Sequence, residues 1–260
     1  MLRFTGDYEG EPEIVITGNE YVGVYHGVID YDPNGENRCL LIDELPNNPA
    51  DDPDVAGQYP AHPNCDETRK NFGGQPNISD FDGDGDNGIG VAGACYYSVF
   101  HFDESDNDAF KRYAMTETKD WSSASTGSTV FDFNGDGEAE VVFSDEEALY
   151  VWGIDSSLSL HPWERLYPYF VDDNHKSWTI HEYPLVADVD NDGKAEILVV
   201  NSHFLGYEDH FGLYVLGAYD DDWVSARPWW NTHAYHVTNI DEQGDVSYSP
   251  PNFSPYSAKD

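Results

Sequence analysis

The sequence predicts an all-β protein assembled from a repeated unit, and three observations predict it. A nine-residue acidic loop recurs at Asp80–Gly88, Asp132–Glu140 and Asp188–Glu196, each copy followed at once by a short apolar run. The loop starts at 80, 132 and 188 lie 52 and 56 residues apart, a period that signals one supersecondary unit per repeat. The runs between loops are β-branched and aromatic and are punctuated by glycine turns. No segment shows the 3.6-residue period of an amphipathic helix.

Taken in order, the chain opens on a worn unit, Thr5-Gly6-Asp7-Tyr8-Glu9-Gly10-Glu11-Pro12-Glu13. From Glu13, a strand through Thr17 turns at Gly18-Asn19 into Tyr21–Tyr25. Residues 31–79 interrupt the repeat. Pro33, Pro46, Pro49, Pro53, Pro60, Pro63 and Pro76 fall here among many Asn and Asp, so much of this insertion is expected to be loop. Cys39 and Cys65 lie inside it and are expected to pair if the protein is exported, which would contribute about 3 kcal/mol. Cys95 reads as a small buried hydrophobe within a strand.

Beyond the insertion, Ile89–Ala92 turns at Gly93 into Tyr96–Phe100. Val141–Phe143 turns through Ser144–Glu147 into Leu149–Gly153, and Ile197–Val200 leads through a longer link to Gly212–Gly217. These repeat units occupy residues 1–226. Residues 227–260 form a separate closing segment, rich in rings at Trp229, Trp230 and Tyr235, with a prolyl tail. His233 and His236 are spaced His-x-x-His, but no Glu or Cys partner stands at a telling distance. The segment reads as an aromatic plug rather than a zinc site.

The loops carry the chemistry. In Asp188-Val189-Asp190-Asn191-Asp192-Gly193-Lys194-Ala195-Glu196, oxygen side chains fall at positions 1, 3, 5 and 9, with glycine at position 6. Alternate spacing on a curled loop turns the oxygens inward, and glycine permits the positive φ of the curl. A hard cation takes six to eight oxygens, so the loop is expected to bind Ca2+. The candidate ligands are Asp188, Asp190, Asp192, Glu196 and the carbonyl of Lys194. In the second loop they are Asp132, Asn134, Asp136, Glu140 and the carbonyl of Glu138. In the loop at 80 they are Asp80, Asp82, Asp84 and the carbonyl of Asp86, because Gly88 leaves position 9 without a side chain. Two strong sites and one weaker one are expected, in the order 188, 132, 80. EF-hands are excluded: position 12 is Val91, Phe143 or Val199, not Glu, and strands follow. Metal-free acidic turns fit poorly, because packed carboxylates without a cation repel one another.

Fifty acidic residues against 12 basic give a formal charge of −38, which argues against nucleic acid or anionic membrane as a partner. No run of 18 apolar residues encodes a membrane span. The first residues, Met1-Leu2-Arg3-Phe4, lack the apolar core of a signal peptide, so the chain reads as a fragment or a product trimmed of its leader.

The loop pattern resembles FG-GAP (integrin-α-like, or VCBS) repeats, Asp-x-Asp/Asn-x-Asp-Gly-x-x-Asp/Glu. Asp132, Asn134, Asp136 and Glu140 match it, as do Asp188, Asp190, Asp192 and Glu196. Asp80, Asp82 and Asp84 match, with Gly88 departing. Residues 230–239 are similar to the segment that closes such repeats in large secreted bacterial proteins. The resemblance implies a β-propeller, either a small complete ring or part of a larger one, with further blades in a longer parent chain. It also implies an extracellular setting and a role in protein or glycan recognition, adhesion or scaffolding. The competing reading is a polysaccharide lyase or glycosidase on the same scaffold. No Gly-x-Ser-x-Gly or phosphate-binding loop is present, and His181, Glu182 and Tyr183 form no motif, so recognition is the reading taken.

Overall fold

The computed structural model describes residues 13–31, 37–55, 72–93, 95–103, 109–155, 157, 162–177, 182–202, 211–230, 240 and 243–245. Among these residues the protein is all-β, with four antiparallel sheets and one four-residue helical turn at Pro162–Arg165 (α1). The first sheet has the order β1 (Glu13–Thr17), β2 (Tyr21–Tyr31), β3 (Asn37–Pro46). The second runs β4 (Asn77–Ser79), β5 (Gly88–Gly93), β6 (Tyr96–Asp103), β7 (Ala109–Glu117). The third runs β8 (Ser128–Phe131), β9 (Glu140–Ser144), β10 (Leu149–Ile154), β11 (Leu166–Asp172). The fourth is β12 (Leu185–Ala187), β13 (Glu196–Asn201), β14 (Gly212–Leu216). In the last three sheets the acidic loop joins the first strand to the second.

The sheets pack face to face in chain order, and alternation along a strand explains how. Ile89 and Val91 on β5 pack with Val22, Val24 and Leu45 of the first sheet. On β9, Val141 and Phe143 turn toward Tyr97 and Val99 of the second sheet, while Val142 turns toward Ile197 and Val199 of the fourth. Both faces of β5 and β9 are therefore covered, and every residue of these strands is buried. Each large apolar side chain so buried contributes roughly 1.5–3 kcal/mol. Polar links bind the first strands side by side. Asn77 Nδ2 donates to Ser128 O at 2.9 Å and Oγ at 2.6 Å, and Thr129 Oγ1 donates to Pro184 O at 2.5 Å.

Two expectations change. Among its described residues the stretch 31–79 also carries strands that its prolines did not suggest, β3 and β4. Pro46 stands at the end of β3, where a strand tolerates it, and Pro49 at the start of a 3-10 turn capped by Asn48. That turn is tied to the second sheet by a fully buried ion pair, Arg112 Nε to Asp52 Oδ2 at 3.0 Å. Cys95 is fully buried among Tyr96 and Met115, as expected, but not within a strand. It sits in the turn between β5 and β6 at φ 65° and forms a disulfide. The expected Cys39–Cys65 pairing falls on Cys65, which lies outside the described residues. No helix among the described residues is long and apolar enough to cross a membrane.

Candidate metal centre

The three loops share one hydrogen-bond scheme. The position 1 carboxylate accepts the N–H of position 6: Gly85 to Asp80 at 2.9 Å, Gly137 to Asp132 at 3.0 Å and Gly193 to Asp188 at 3.0 Å. The position 5 carboxylate accepts the N–H of position 7: Asp86 to Asp84 at 2.8 Å, Glu138 to Asp136 at 2.9 Å and Lys194 to Asp192 at 2.8 Å. Where position 9 is glutamate, it reaches back to the N–H of position 2, from Phe133 at 2.8 Å and from Val189 at 2.9 Å. The curl needs positive φ at two positions. Position 6 has 93°, 96° and 90° at Gly85, Gly137 and Gly193, and position 4 has 72°, 77° and 64° at Gly83, Gly135 and Asn191. The demand at position 4 escaped the sequence reading, although Gly, Gly and Asn there are the residues that tolerate the left-handed region.

The loops stand in a row. Ala139 N–H of the second loop donates to Asp80 O of the first at 2.9 Å. Val224 bridges the other two, its N–H donating to Phe133 O at 2.9 Å and its carbonyl accepting from Ala195 N–H at 3.0 Å. Nothing in the sequence marked Val224 for this role. Two of the position 7 side chains leave their loops. Lys194 Nζ donates to Trp223 O at 3.2 Å, and the Glu138 carboxylate lies beside Gly83 of the neighbouring loop.

The loop at 188 fits a hard divalent cation best. One oxygen each from Asp188, Asp190 and Glu196 falls within 4.8 Å of the others. Asp188 Oδ1 is buried and has no hydrogen-bond partner among the described residues. A buried carboxylate oxygen without a donor is costly, and an ion at this place would satisfy it. Asp192 stays on the Lys194 N–H, outside that group of three. Burial pushes Glu196 above the ordinary carboxylate range; the Val189 N–H opposes this, and Asp190, Asp192 and Asp188 add to it.

In the loop at 132, burial pushes Glu140 up to about 7; the Phe133 N–H resists, and Asp136 and Asp132 reinforce the shift. Asn134 Nδ2 donates to Asp136 Oδ2 at 2.9 Å and to Glu140 Oε1 at 3.3 Å, so an amide ties these carboxylates from within. The loop at 80 brings Asp82 and Asp84 together with His101 of β6, one ligand atom from each within 4.8 Å. The sequence reading missed His101. It stands 13 residues beyond the loop's end, and only strand pairing brings it back.

A cavity of about 470 Å3 lies among β4, β8 and β12, lined by Asn77, Thr129, Tyr183, Arg227 and Trp230, with Asp80 and Asp132 on its wall. Trp229 of the closing segment, read as part of a buried plug, is 36% exposed, with its ring against Gly244; Trp230 is half-buried. Tyr235, His236, His233 and His181 lie outside the described residues. Ser144 and His175 are hydrogen-bonded at 2.6 Å but both are buried, a packing contact rather than an accessible nucleophile and base.

Among solved structures, the chain is similar to the V. cholerae biofilm matrix protein Bap1, with 22% identity and a TM-score of 0.49. The likeness covers 62% of this chain and 24% of that one, so the matched part spans about a quarter of Bap1's length. No curated protein matches it. Residues 132–199, which hold the loops at 132 and 188 and the strands between them, match the FG-GAP-like repeat family, and the chain carries that repeat.

Proposed function

We propose that the chain is a calcium-stabilised β-propeller module that works outside the cell in adhesion or scaffolding, recognising protein or glycan. The observation that carries the calcium reading is the buried, partnerless Asp188 Oδ1 among the oxygens of Asp190 and Glu196. The propeller reading draws on the face-to-face order of the sheets and on their two outer faces. In the first sheet, Ile14, Ile16 and Leu41 are exposed, and register places Ile14 opposite Tyr25 and Tyr25 opposite Leu41, on one face. In the fourth, Val200, Leu213 and Val215 share the face turned away from the core. Apolar sheet faces of this kind are what neighbouring blades cover. The disulfide at Cys95 favours an oxidising compartment, and the charge of −38 suits a solvated surface in salty surroundings.

A glycan and extracellular-protein array, run in calcium and again in chelator, tests the role. Capture in calcium that disappears in chelator supports it, and a thermal stability indifferent to calcium overturns it. Turnover of a polysaccharide in the same wells would move the reading to a lyase or glycosidase.

A further inference from the structure

Strand register shows that the loop at 80 has not simply lost a ligand. Val141↔Trp152, Ile197↔Leu216 and Ile89↔Phe100 are equivalent pairs in the third, fourth and second sheets. One step toward the loop, the facing residues are therefore Glu140 and Gly153, Glu196 and Gly217, and Gly88 and His101. In two sheets the side chain comes from the loop's own strand and faces glycine. In the third the arrangement is reversed: glycine stands on the loop's strand and imidazole comes from across. Facing residues put their side chains on the same side of the sheet, so His101 enters from the opposite strand the space that glutamate fills elsewhere. A side chain at Gly88 would be tight, since an added Cβ would stand 3.0 Å from Phe81 Cδ2 and 3.1 Å from Phe100 O.

We propose that His101 is the missing ligand of the loop at 80, and that this loop, with Asp82 and Asp84, takes a first-row transition cation such as Zn2+ in place of Ca2+. The inference rests on reading the loops as cation cradles. Calcium takes oxygen ligands, whereas imidazole is a nitrogen donor suited to Zn, Cu, Fe or Ni. Tyr113 holds both kinds of ligand in place. Its ring stacks on the imidazole with centroids 4.0 Å apart, and its hydroxyl donates to Asp82. Such outer contacts typically change metal affinity 10–100-fold.

The full chain, stripped with chelator and refilled with excess Ca2+, is titrated with Zn2+ by calorimetry and with Co2+ by visible absorption. One Zn2+ per chain should bind over the calcium background. His101→Ala should weaken that binding by at least about tenfold and abolish the cobalt spectrum of nitrogen ligation, with calcium uptake at the other loops unchanged. His101→Gln, which keeps the bulk and a polar end, covers the case in which the smaller variant fails to fold, and it should lose zinc equally. A wild-type chain that binds calcium but no zinc overturns the proposal. So does a His101→Gln variant with wild-type zinc affinity, which would send the ion to other histidines. A chain that binds neither ion overturns the calcium reading as well.

Discussion

The loops at 132 and 188 close on themselves, whereas the loop at 80 closes on its neighbour strand. In the first pair a glutamate at position 9 returns to the N–H of position 2, so the whole cradle is written within nine residues. At 80 the ninth residue is Gly88, and the nearest added ligand atom belongs to His101 of β6. The first two sites are thus local products of the chain and the third is a product of the sheet. The comparison teaches that a broken motif can be completed by strand pairing, with a change in the chemistry of the donor.

The largest expected effect separates the two kinds of loop by stability. A cation held only by the folded state at a hundredfold excess over its Kd adds about 2.7 kcal/mol. Glu196→Ala should therefore lower Tm in calcium by about 5–10 °C for a chain of this size, with little change in chelator. Asp84→Ala should lower it less in calcium alone. Scanning calorimetry of both variants checks this, and equal losses would erase the distinction.

Next, the chelated chain should respond to pH through Glu140. Its folded value, about 7, lies above the ordinary 4.5, so the folded state holds the proton more tightly than the unfolded one. The stability this group contributes is fully present below about 4.5 and is lost as pH rises through about 7. Glu140→Gln should flatten that part of the stability profile in chelator, and calcium should restore wild-type stability at pH 7.

The comparison can also be inverted. Gly217 has space: an added Cβ would find only Glu196, with Cγ at 3.8 Å. The double change Glu196→Gly with Gly217→His copies the arrangement at 80 into the loop at 188. It should cost that loop its calcium and give it zinc affinity within about tenfold of the loop at 80, read by the same titrations. The smallest effect is Asn134→Asp, which replaces an amide donor by a fourth inner carboxylate. Calcium affinity at 132 should rise by less than about tenfold. In chelator the added like charge should destabilise the chain by roughly 0.5–1 kcal/mol; an unchanged calcium affinity would mean that Asn134 is no ligand.

Much of this was legible in the sequence, and the parts that were not share one cause. Loop chemistry and the strands that follow the loops are short-range, fixed by spacing and glycine within about ten residues. The first strands were hidden because Asn77–Ser79 and Leu185–Ala187 are three residues long, too short to show alternation. β3 was hidden by prolines that lie at strand and turn boundaries. Val224 and Arg112 gave no signal, since each acts on a partner tens of residues away: Arg112 on Asp52, Val224 on Phe133.

By itself, then, the sequence determined the acidic loops, their spacing and the all-β character, because these depend on residues adjacent along the chain. Tertiary structure decided the stacking of sheets, the placing of Cys95 in a turn and in a disulfide, and the meeting of His101 with Asp82 and Asp84. Those outcomes depend on register: a shift by one residue would turn His101 to the other face of its sheet, and only packing between distant segments fixes that choice.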